Sequence, residues 1–196
     1  MSNFRLNRGD ILVNVNRRHD PLSSIKRWAA GPYEHIFMYM GKVGLYLNRR
    51  QPRLIRIPML FESDGDGVIL ESLSSRYGQE VVVLRLKSEL DRRRIPRVLE
   101  EGVKLAEDPQ AKYDYMCIVK YIIPRLIFEK LRLPLAVKYH RDPLKVCSEA
   151  VWEVFDRARL VDILLPYCVP PMPGDFITDS PLLELAWEGK LSEGLL

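Results

Sequence analysis

The chain has 196 residues, of which 47% are hydrophobic and 29% are charged. This composition is typical of globular proteins and excludes a disordered or collagen-like chain, and the length suffices for a hydrophobic core without disulfides or structural metal. The 30 Lys and Arg residues exceed the 26 Asp and Glu residues only slightly, whereas nucleic-acid-binding proteins usually gather positive charge on one face. No repeat or low-complexity tract interrupts the sequence, and we expect a single domain over residues 1–196.

The cysteines and the apolar segments predict a cytoplasmic protein. An odd number of cysteines cannot all pair and none lies in a C-x-x-C unit, so at least one thiol is free, which favours a reducing compartment. The N-terminal segment MSNFRLNRGD lacks the apolar core of a secretory signal. The longest apolar stretch, residues 116–128, contains Lys120 and Arg125 and is shorter than the roughly 18–20 residues that a membrane span needs.

The first half of the chain predicts mainly strands. Apolar runs indicate strands over residues 10–15, 35–40, 68–73 and 81–86, and a short helix over 22–30. Within the second strand the even-numbered residues should form the more apolar face, and the odd-numbered ones, beginning with His35, the opposite face. Residues 42–67 are rich in charge, proline and glycine and are predicted to form an excursion that ends in a turn.

The second half predicts mainly helices. Helical periodicity and proline boundaries indicate a helix from Ile95 to a stop at Asp108-Pro109, a second over 114–130 that kinks or breaks at Pro124, and a third over 148–160. A last short strand is predicted over 175–178. Strands followed by helices indicate an α+β fold.

Cys147 is the candidate nucleophile, because it stands directly before the third predicted helix in the segment KVCSEAVWEVF. The N-terminus of a helix carries unsatisfied N–H groups and about half a positive charge, which favour the reactive thiolate. The N–H groups of that first turn, which Ser148 opens, can also stabilise the oxyanion of a tetrahedral intermediate. The alternative is a small buried hydrophobic residue, and this is the interpretation for Cys117 and Cys168.

His35 and Glu71 are the candidate partners of this thiol. The histidine opens a predicted strand, and its reference pKa of about 6.5 suits a general base. Glu71 ends the apolar run GVIL, and a carboxylate in a buried strand is costly unless an imidazole or another donor pairs with it. The simpler alternatives are a histidine satisfied by a backbone carbonyl and a glutamate that faces solvent. His19 and His140 lie in polar, loop-like segments and are expected at the surface.

Taken together, these residues resemble a known family. The segments RGDIL, YEHIFMYMG, VILESL, KYDY and VCSEAVWEVF follow one another in that order, and the set is similar to the circularly permuted branch of the NlpC-type papain-like superfamily, the YaeF/YiiX-like amidases. The resemblance implies a papain-like α+β fold, with an antiparallel sheet or small barrel packed against helices that include the cysteine-bearing one. Permutation would place Gly9-Asp10, His35 and Glu71 before the Cys147 helix and leave the three-dimensional site unchanged.

The resemblance also implies a role for each site residue. The catalytic residues would be Cys147, His35 and Glu71. Tyr113 in KYDY would support the oxyanion, with Tyr115 as the alternative, and neither a metal nor a cofactor is implied. Residues 42–67 and 116–140 have no counterpart in the family pattern and are expected to be insertions. The second Gly-Asp segment, Gly174-Asp175, is expected to be structural.

The expected function is a cysteine amidase or peptidase that works through an acyl-enzyme. Its substrate would be a small-molecule or peptide amide, and the resemblance suggests one derived from the cell wall. One alternative is a lipid-directed acyltransferase or thioesterase, like the lecithin:retinol acyltransferase branch, in which Tyr121 to Phe128 and the basic stretch Arg49 to Arg56 meet an anionic membrane surface. The other is a non-enzymatic nucleic-acid- or protein-binding module that uses arginine clusters such as residues 92–94.

Overall fold

A computed structural model describes residues 4–15, 32–46, 54–131, 144–164 and 171–196. In these ranges six strands form one antiparallel sheet in the order β4-β3-β2-β1-β5-β6. The strands are β1 (Ile11–Val15), β2 (Tyr33–Tyr46), β3 (Leu54–Asp64), β4 (Gly67–Ser72), β5 (Glu80–Leu86) and β6 (Leu183–Lys190). The α+β class predicted from the sequence is confirmed.

The apolar strands lie in the middle of the sheet. β1 pairs with β2 on one side and with β5 on the other, and its residues Leu12 and Val13 are fully buried. A strand with both faces covered needs a continuous apolar run rather than an alternating one. Such runs were the strongest strand indication in the sequence, and the strands predicted at 10–15, 68–73 and 81–86 are present as β1, β4 and β5.

Two hydrophobic clusters cover the two faces of the sheet. On one face Ile36 and Met38 pack in the same cluster as Val151 and Val154, which come from the cysteine-bearing helix. On the other face Phe37 and Tyr39 belong to a cluster with residues near both chain ends, among them Leu6 and Leu191. The predicted alternation along β2 is therefore confirmed.

In the range 42–67, the described residues 42–46 and 54–64 form strands rather than a charged excursion. β2 extends to Tyr46, and β3 returns beside it as an antiparallel partner, followed by a turn into β4. The prediction was wrong because charged residues and Pro58 obscure the strand pattern of LIRIPMLFESD. Pro58 is tolerated because β4 pairs with β3 only from Met59 onward, so the strand has an unpaired edge at the proline.

The helices are mostly where the sequence places them. They are α1 (Glu89–Arg92), α2 (Ile95–Ala106), α3 (Tyr115–Cys117), α4 (Ile123–Lys130), α5 (Cys147–Arg157) and α6 (Asp175–Thr178), with short 3₁₀ turns at Leu73–Arg76, Val161–Ile163 and Glu193–Leu195. α5 packs on β2 and β3, and α2 packs on α5. The helix predicted over 22–30 lies outside the described residues. In the described ranges no helix is both long and apolar enough to cross a membrane.

The segment around Pro124 remains helical. A π-helical turn, Ile118–Ile122, joins α3 to α4 directly before the proline. Proline has no N–H to donate and its ring crowds the preceding turn, and a wider turn relieves both constraints. The predicted kink or break therefore takes the form of a widened turn.

The segment 175–178 is a short helix rather than a strand. The Asp175 carboxylate accepts the N–H of Met172 at 2.8 Å and holds the turn that starts α6. Phe176, Ile177 and Thr178 favour strands by composition, but this local hydrogen bond outweighs that preference. The last strand is β6, which lies at the sheet edge beside β5.

A buried ion pair fastens α4 to α6. Arg125 donates to both carboxylate oxygens of Asp175 at 2.8 and 2.9 Å, and both residues are buried. Such a paired charge becomes costly when its partner is removed.

We predict that Asp175→Ala lowers the free energy of unfolding by about 3 kcal/mol, because it leaves the Arg125 guanidinium buried without its carboxylate. Urea denaturation followed by circular dichroism measures this change. The double variant Arg125→Met/Asp175→Ala should lose much less than the sum of the two single variants. Lys104→Gln, which removes an exposed pair with Glu100, serves as the control and should change little. An Asp175→Ala protein as stable as the control would show that the pair contributes nothing.

Candidate active site

Cys147 is the first residue of α5 and is buried at the N-terminus of that helix. Its predecessor, Val146, occupies the cap position and has no side chain that can bond to the first turn. The sulfur receives hydrogen bonds from the backbone N–H groups of Ile36 and Ser148. The helix N-terminus therefore surrounds the sulfur with donors, which stabilise a thiolate.

The segment before Cys147 is held from two sides. Lys145 pairs with residues 112–114 as a short parallel bridge: its N–H donates to Lys112 at 2.8 Å and its carbonyl accepts from Asp114 at 3.4 Å. The hydroxyl of Ser63, from β3, donates to the same carbonyl at 2.8 Å. These bonds fix the backbone two residues ahead of the sulfur, so the position of Cys147 is set by β3 as well as by its own helix.

His35 lies near the start of β2, where it forms a hydrogen bond with Cys147. Its Nε2 atom lies 2.8 Å from Oε2 of Glu62, which leaves Nδ1 for the sulfur. Burial would lower the pKa of His35, but the charge and hydrogen bonds of Cys147 and Glu62 outweigh it and raise the pKa to about 10.

The carboxylate that holds His35 is Glu62, not the predicted Glu71. Glu62 is fully buried on β3, directly after Phe61, which pairs with Met38 of β2. Burial alone would raise the pKa of Glu62, but hydrogen bonds from His35 and Arg76 hold it at about 2. The carboxylate is therefore ionised at neutral pH.

Glu71 lies one strand too far from His35. It is on β4, where it pairs with Leu60, and β3 separates β4 from β2. Its side chain is 38% exposed and lies 3.8 Å from Arg76. A hydrogen bond with Glu62 and partial burial raise its pKa. The prediction that Glu71 orients His35 is wrong because the strand that carries Glu62 was not predicted.

The sequence does contain a local indication that Glu62 is a candidate for the third site residue. Leu60 and Phe61 precede Glu62, so Glu62 follows a short apolar run in the same way that Glu71 does. A carboxylate next to such a run, on a strand paired with the histidine strand, satisfies the same criterion.

Cys147 and His35 form a matched acid–base pair. Burial tends to raise the pKa of the Cys147 thiol, but the nearby His35 charge, the bond from His35 and the two backbone N–H donors lower it overall. The two opposite shifts, a lowered thiol pKa and an imidazole pKa raised to about 10, favour a proton on the imidazole and a thiolate on the sulfur. A thiolate next to an imidazolium is the arrangement that a cysteine nucleophile requires.

Of the two candidate tyrosines, Tyr113 is the one beside the sulfur. It is partly buried, and burial together with the charge of Cys147 raises its pKa strongly, so its hydroxyl remains a hydrogen-bond donor. Tyr115 is exposed, and its hydroxyl donates to the Gly65 carbonyl at 3.4 Å. The two rings meet edge to face with centroids 4.8 Å apart. Ser148 directs its hydroxyl away to the Pro171 carbonyl at 2.5 Å, and its backbone N–H faces the sulfur.

Of the other cysteines and histidines in the sequence, only Cys117 lies in the described ranges. Cys117 is buried, and its backbone N–H donates to the Asp114 carboxylate at 2.8 Å. His19, His140 and Cys168 lie outside the described residues. Among the residues that the structure describes, no three His, Cys, Asp or Glu side chains converge so that they could hold a metal ion.

The comparisons with known proteins support the fold. A scan against protein-family models and a search of curated proteins found no match. Among solved structures, the chain is similar to the crystal structure of metalloprotein yiiX from Escherichia coli O157:H7, described as DUF1105. The likeness has a TM-score of 0.55 at 17% sequence identity and covers 94% of this chain and 98% of that one. The chain therefore has a YiiX-like fold over nearly its whole length.

Proposed function

We propose that this protein is a cysteine-dependent hydrolase, an amidase or peptidase, in which Cys147, His35 and Glu62 act as nucleophile, acid–base and orienting carboxylate. The observation that supports this most directly is the chain of hydrogen bonds from the Cys147 sulfur through His35 to Glu62. A nucleophile bonded to a base that a third group orients is the recurring arrangement of covalent hydrolases. The proposed site differs from the one predicted from the sequence in its carboxylate, which is Glu62 instead of Glu71, while Cys147 and His35 are the same.

We further propose that the fold is a circularly permuted NlpC-type papain-like domain spanning residues 1–196. The order of the site residues supports this, because the histidine strand and the glutamate strand precede the cysteine helix in the chain. The YiiX-like fold is in line with the sequence resemblance to the YaeF/YiiX-like amidases. The substrate class, a peptide or small-molecule amide derived from the cell wall, comes from that resemblance, and nucleic acid is not a proposed partner.

In the acylation step, the Cys147 thiolate attacks the carbonyl carbon and the carbonyl π electrons move to the oxygen. The N–H groups at the start of α5 and the hydroxyl of Tyr113 stabilise the resulting oxyanion. The intermediate collapses, the C–N bond breaks, and His35 gives its proton to the leaving amine. The product of this step is a thioester on Cys147.

In the hydrolysis step, neutral His35 takes a proton from water while the water oxygen attacks the thioester carbon. The C–S bond then breaks, the carboxylic acid leaves, and the thiolate–imidazolium pair is restored. Glu62 stays ionised throughout, because its pKa of about 2 is far below that of an imidazolium.

The yiiX protein is called a metalloprotein, and this raises the question of a metal here. The side chains that could serve, Cys147, His35 and Glu62, are joined in one hydrogen-bonded line rather than arranged around a common point, and no metal-ligand cluster occurs in the described ranges. These residues do not fit a metal site, so each step above uses only the chain's own groups.

A lipid substrate is the second candidate. The helical segment from α3 to α4 exposes large apolar side chains, Met116, Ile123 and Ile127, and a water-exposed apolar row can dip into a membrane surface. The same three catalytic residues would then serve a lipid-directed acyltransferase or thioesterase. Sedimentation with anionic vesicles at low salt distinguishes the two candidates, because an amidase acting on free peptides needs no membrane binding.

We predict that Cys147→Ala abolishes covalent labelling by an electrophilic acyl probe, because the sulfur is the attacking atom. Mass spectrometry of the intact protein measures the label. Cys117→Ala is the matched control: it removes another buried thiol, and labelling should persist. Undiminished labelling of the Cys147→Ala protein would reject the assigned nucleophile.

We predict that the rate of Cys147 alkylation by iodoacetamide is already high at pH values well below about 8.5, the pKa of an ordinary thiol. The thiol pKa is lowered and the imidazole pKa is raised to about 10, so the ion pair exists at all pH values between them. Replacing His35 by Ala removes the cation, and the profile should then move up toward the ordinary thiol value. A wild-type profile with the ordinary midpoint would contradict the ion pair.

We predict that Glu62→Gln reduces acylation by a chromogenic ester by roughly 10²-fold or more, because an amide cannot stabilise the imidazolium as a carboxylate does. Glu71→Gln, a neighbouring carboxylate that does not contact His35, is the matched control and should lose far less. Stopped-flow absorbance measures both rates. Equal losses in the two variants would restore Glu71 as a candidate for the third residue.

A further inference from the structure

Beyond the three reacting residues, the structure assigns a positioning role to Arg76: its guanidinium holds the Glu62 carboxylate in the orientation that directs Oε2 at His35. This inference rests on the proposed function, because it concerns the residue that supports His35 in that site. Arg76 does not touch the sulfur and is not a catalytic residue.

The two oxygens of Glu62 are divided between two donors. Oε2 lies 2.8 Å from Nε2 of His35, and Oε1 lies 2.7 Å from Nη2 of Arg76. Because His35 and Arg76 bond to different oxygens, rotation of the carboxylate about its last bond breaks both of these hydrogen bonds. Removing Arg76 would leave Oε1 buried without this donor, and an unsatisfied buried acceptor is costly. The carboxylate would then gain by rotating or by taking up a proton.

Arg76 is itself held in place by its local structure. It ends the 3₁₀ turn Leu73–Arg76, which Ser72 caps by accepting the N–H of Ser74. Leu73 is fully buried and anchors the turn under the sheet. The Ser75 hydroxyl donates to the Ser72 carbonyl at 2.9 Å. The turn therefore presents the guanidinium to Glu62 from a fixed backbone.

The charges around the site alternate along one line. The Cys147 thiolate faces the His35 imidazolium, which faces Glu62, which faces Arg76. Glu71 from β4 lies 3.8 Å from the guanidinium and also bonds to Glu62. Asp64, at the end of β3, acts on Arg76 as well. Arg76 is thus the cation beside three acidic side chains, Glu62, Glu71 and Asp64.

This arrangement predicts how the site responds to pH. The bond from Arg76 is one of the causes that hold the pKa of Glu62 at about 2 against burial. Without the cation, Glu62 takes up a proton at higher pH, and His35 loses the negative charge that stabilises its imidazolium. The Cys147 thiolate then loses its counter-charge, so the acid limb of its reactivity should move to higher pH.

The test is the pH dependence of Cys147 alkylation by iodoacetamide, followed by mass spectrometry in wild type, Arg76→Gln, Arg76→Lys and Arg97→Gln. We expect Arg76→Gln to move the acid limb up by about one pH unit, because Glu62 without this cation protonates at higher pH and no longer stabilises the imidazolium that faces the thiolate. Arg76→Lys should show a smaller shift, because it keeps the charge and loses the planar fork. Arg97, exposed on α2, is the control, and its variant should match wild type.

A second comparison shows whether Arg76 acts through Glu62. In a Glu62→Gln background, Arg76→Gln should cause no further shift, since there is no carboxylate left to hold. If Arg76→Gln shifts the acid limb in the Glu62→Gln background as much as it does in wild type, the inference is overturned. A pH profile of Arg76→Gln that superposes on the wild-type profile would also overturn it. If Arg76→Gln does not fold, Arg76→Lys decides in its place, and a profile identical to wild type counts against the role.

These outcomes are distinct from a failure of the proposed function. A wild-type profile with an ordinary thiol midpoint that His35→Ala leaves unchanged would remove the proposed catalytic pair itself. If the wild-type alkylation midpoint is low and changes in His35→Ala but not in Arg76→Gln, the Cys147–His35 pair is supported and only the positioning role of Arg76 is rejected. Alkylation needs no substrate, so each outcome can be read before the natural substrate is known.

Discussion

The arrangement of the candidate site is set by one completely buried carboxylate, that of Glu62. An ionised side chain without exposure is stable only when hydrogen bonds and opposite charge replace the water it has lost. Glu62 has both, from His35 on one oxygen and Arg76 on the other. Its charge in turn favours the imidazolium, and the imidazolium favours the thiolate of Cys147. The reactivity of the sulfur therefore depends on a residue that does not touch it.

Strand β3 connects the two halves of the site. Glu62 holds the histidine, and the next residue, Ser63, holds the carbonyl of Lys145 just ahead of the cysteine. The neighbouring turn is fitted closely: Gly67 has φ +112° and a Cβ there would lie 2.8 Å from the Ala111 carbonyl. That contact brings the β3–β4 turn against the strand-like segment that carries Tyr113. A shift of β3 would therefore disturb the positions of His35 and Cys147 together.

The cysteine helix carries a second set of buried charges. The Lys145 ammonium lies 3.0 Å from Glu153 and 3.6 Å from Glu149, both on α5, and all three residues are buried. Glu149 is in the first turn of the helix, two residues from the sulfur. Uncompensated negative charge there would disfavour a thiolate, and Lys145 offsets it. The buried Lys145 and the partly buried Arg76 therefore balance the carboxylates on the two sides of Cys147 and His35.

Local sequence patterns predict several elements of this structure correctly. The continuous apolar runs of β1 and β5, the cysteine at the start of α5 and the histidine near the start of β2 were all readable from neighbouring residues, because strand and helix periodicity are local properties. The sequence did not determine which carboxylate serves His35. Glu62 and Glu71 each follow an apolar run, and only the order of strands in the sheet places β3, and not β4, beside β2. The contact between Arg76 and Glu62 could not be predicted from the sequence for the same reason. The two residues are 14 positions apart, and their pairing arises from tertiary packing rather than from any local pattern.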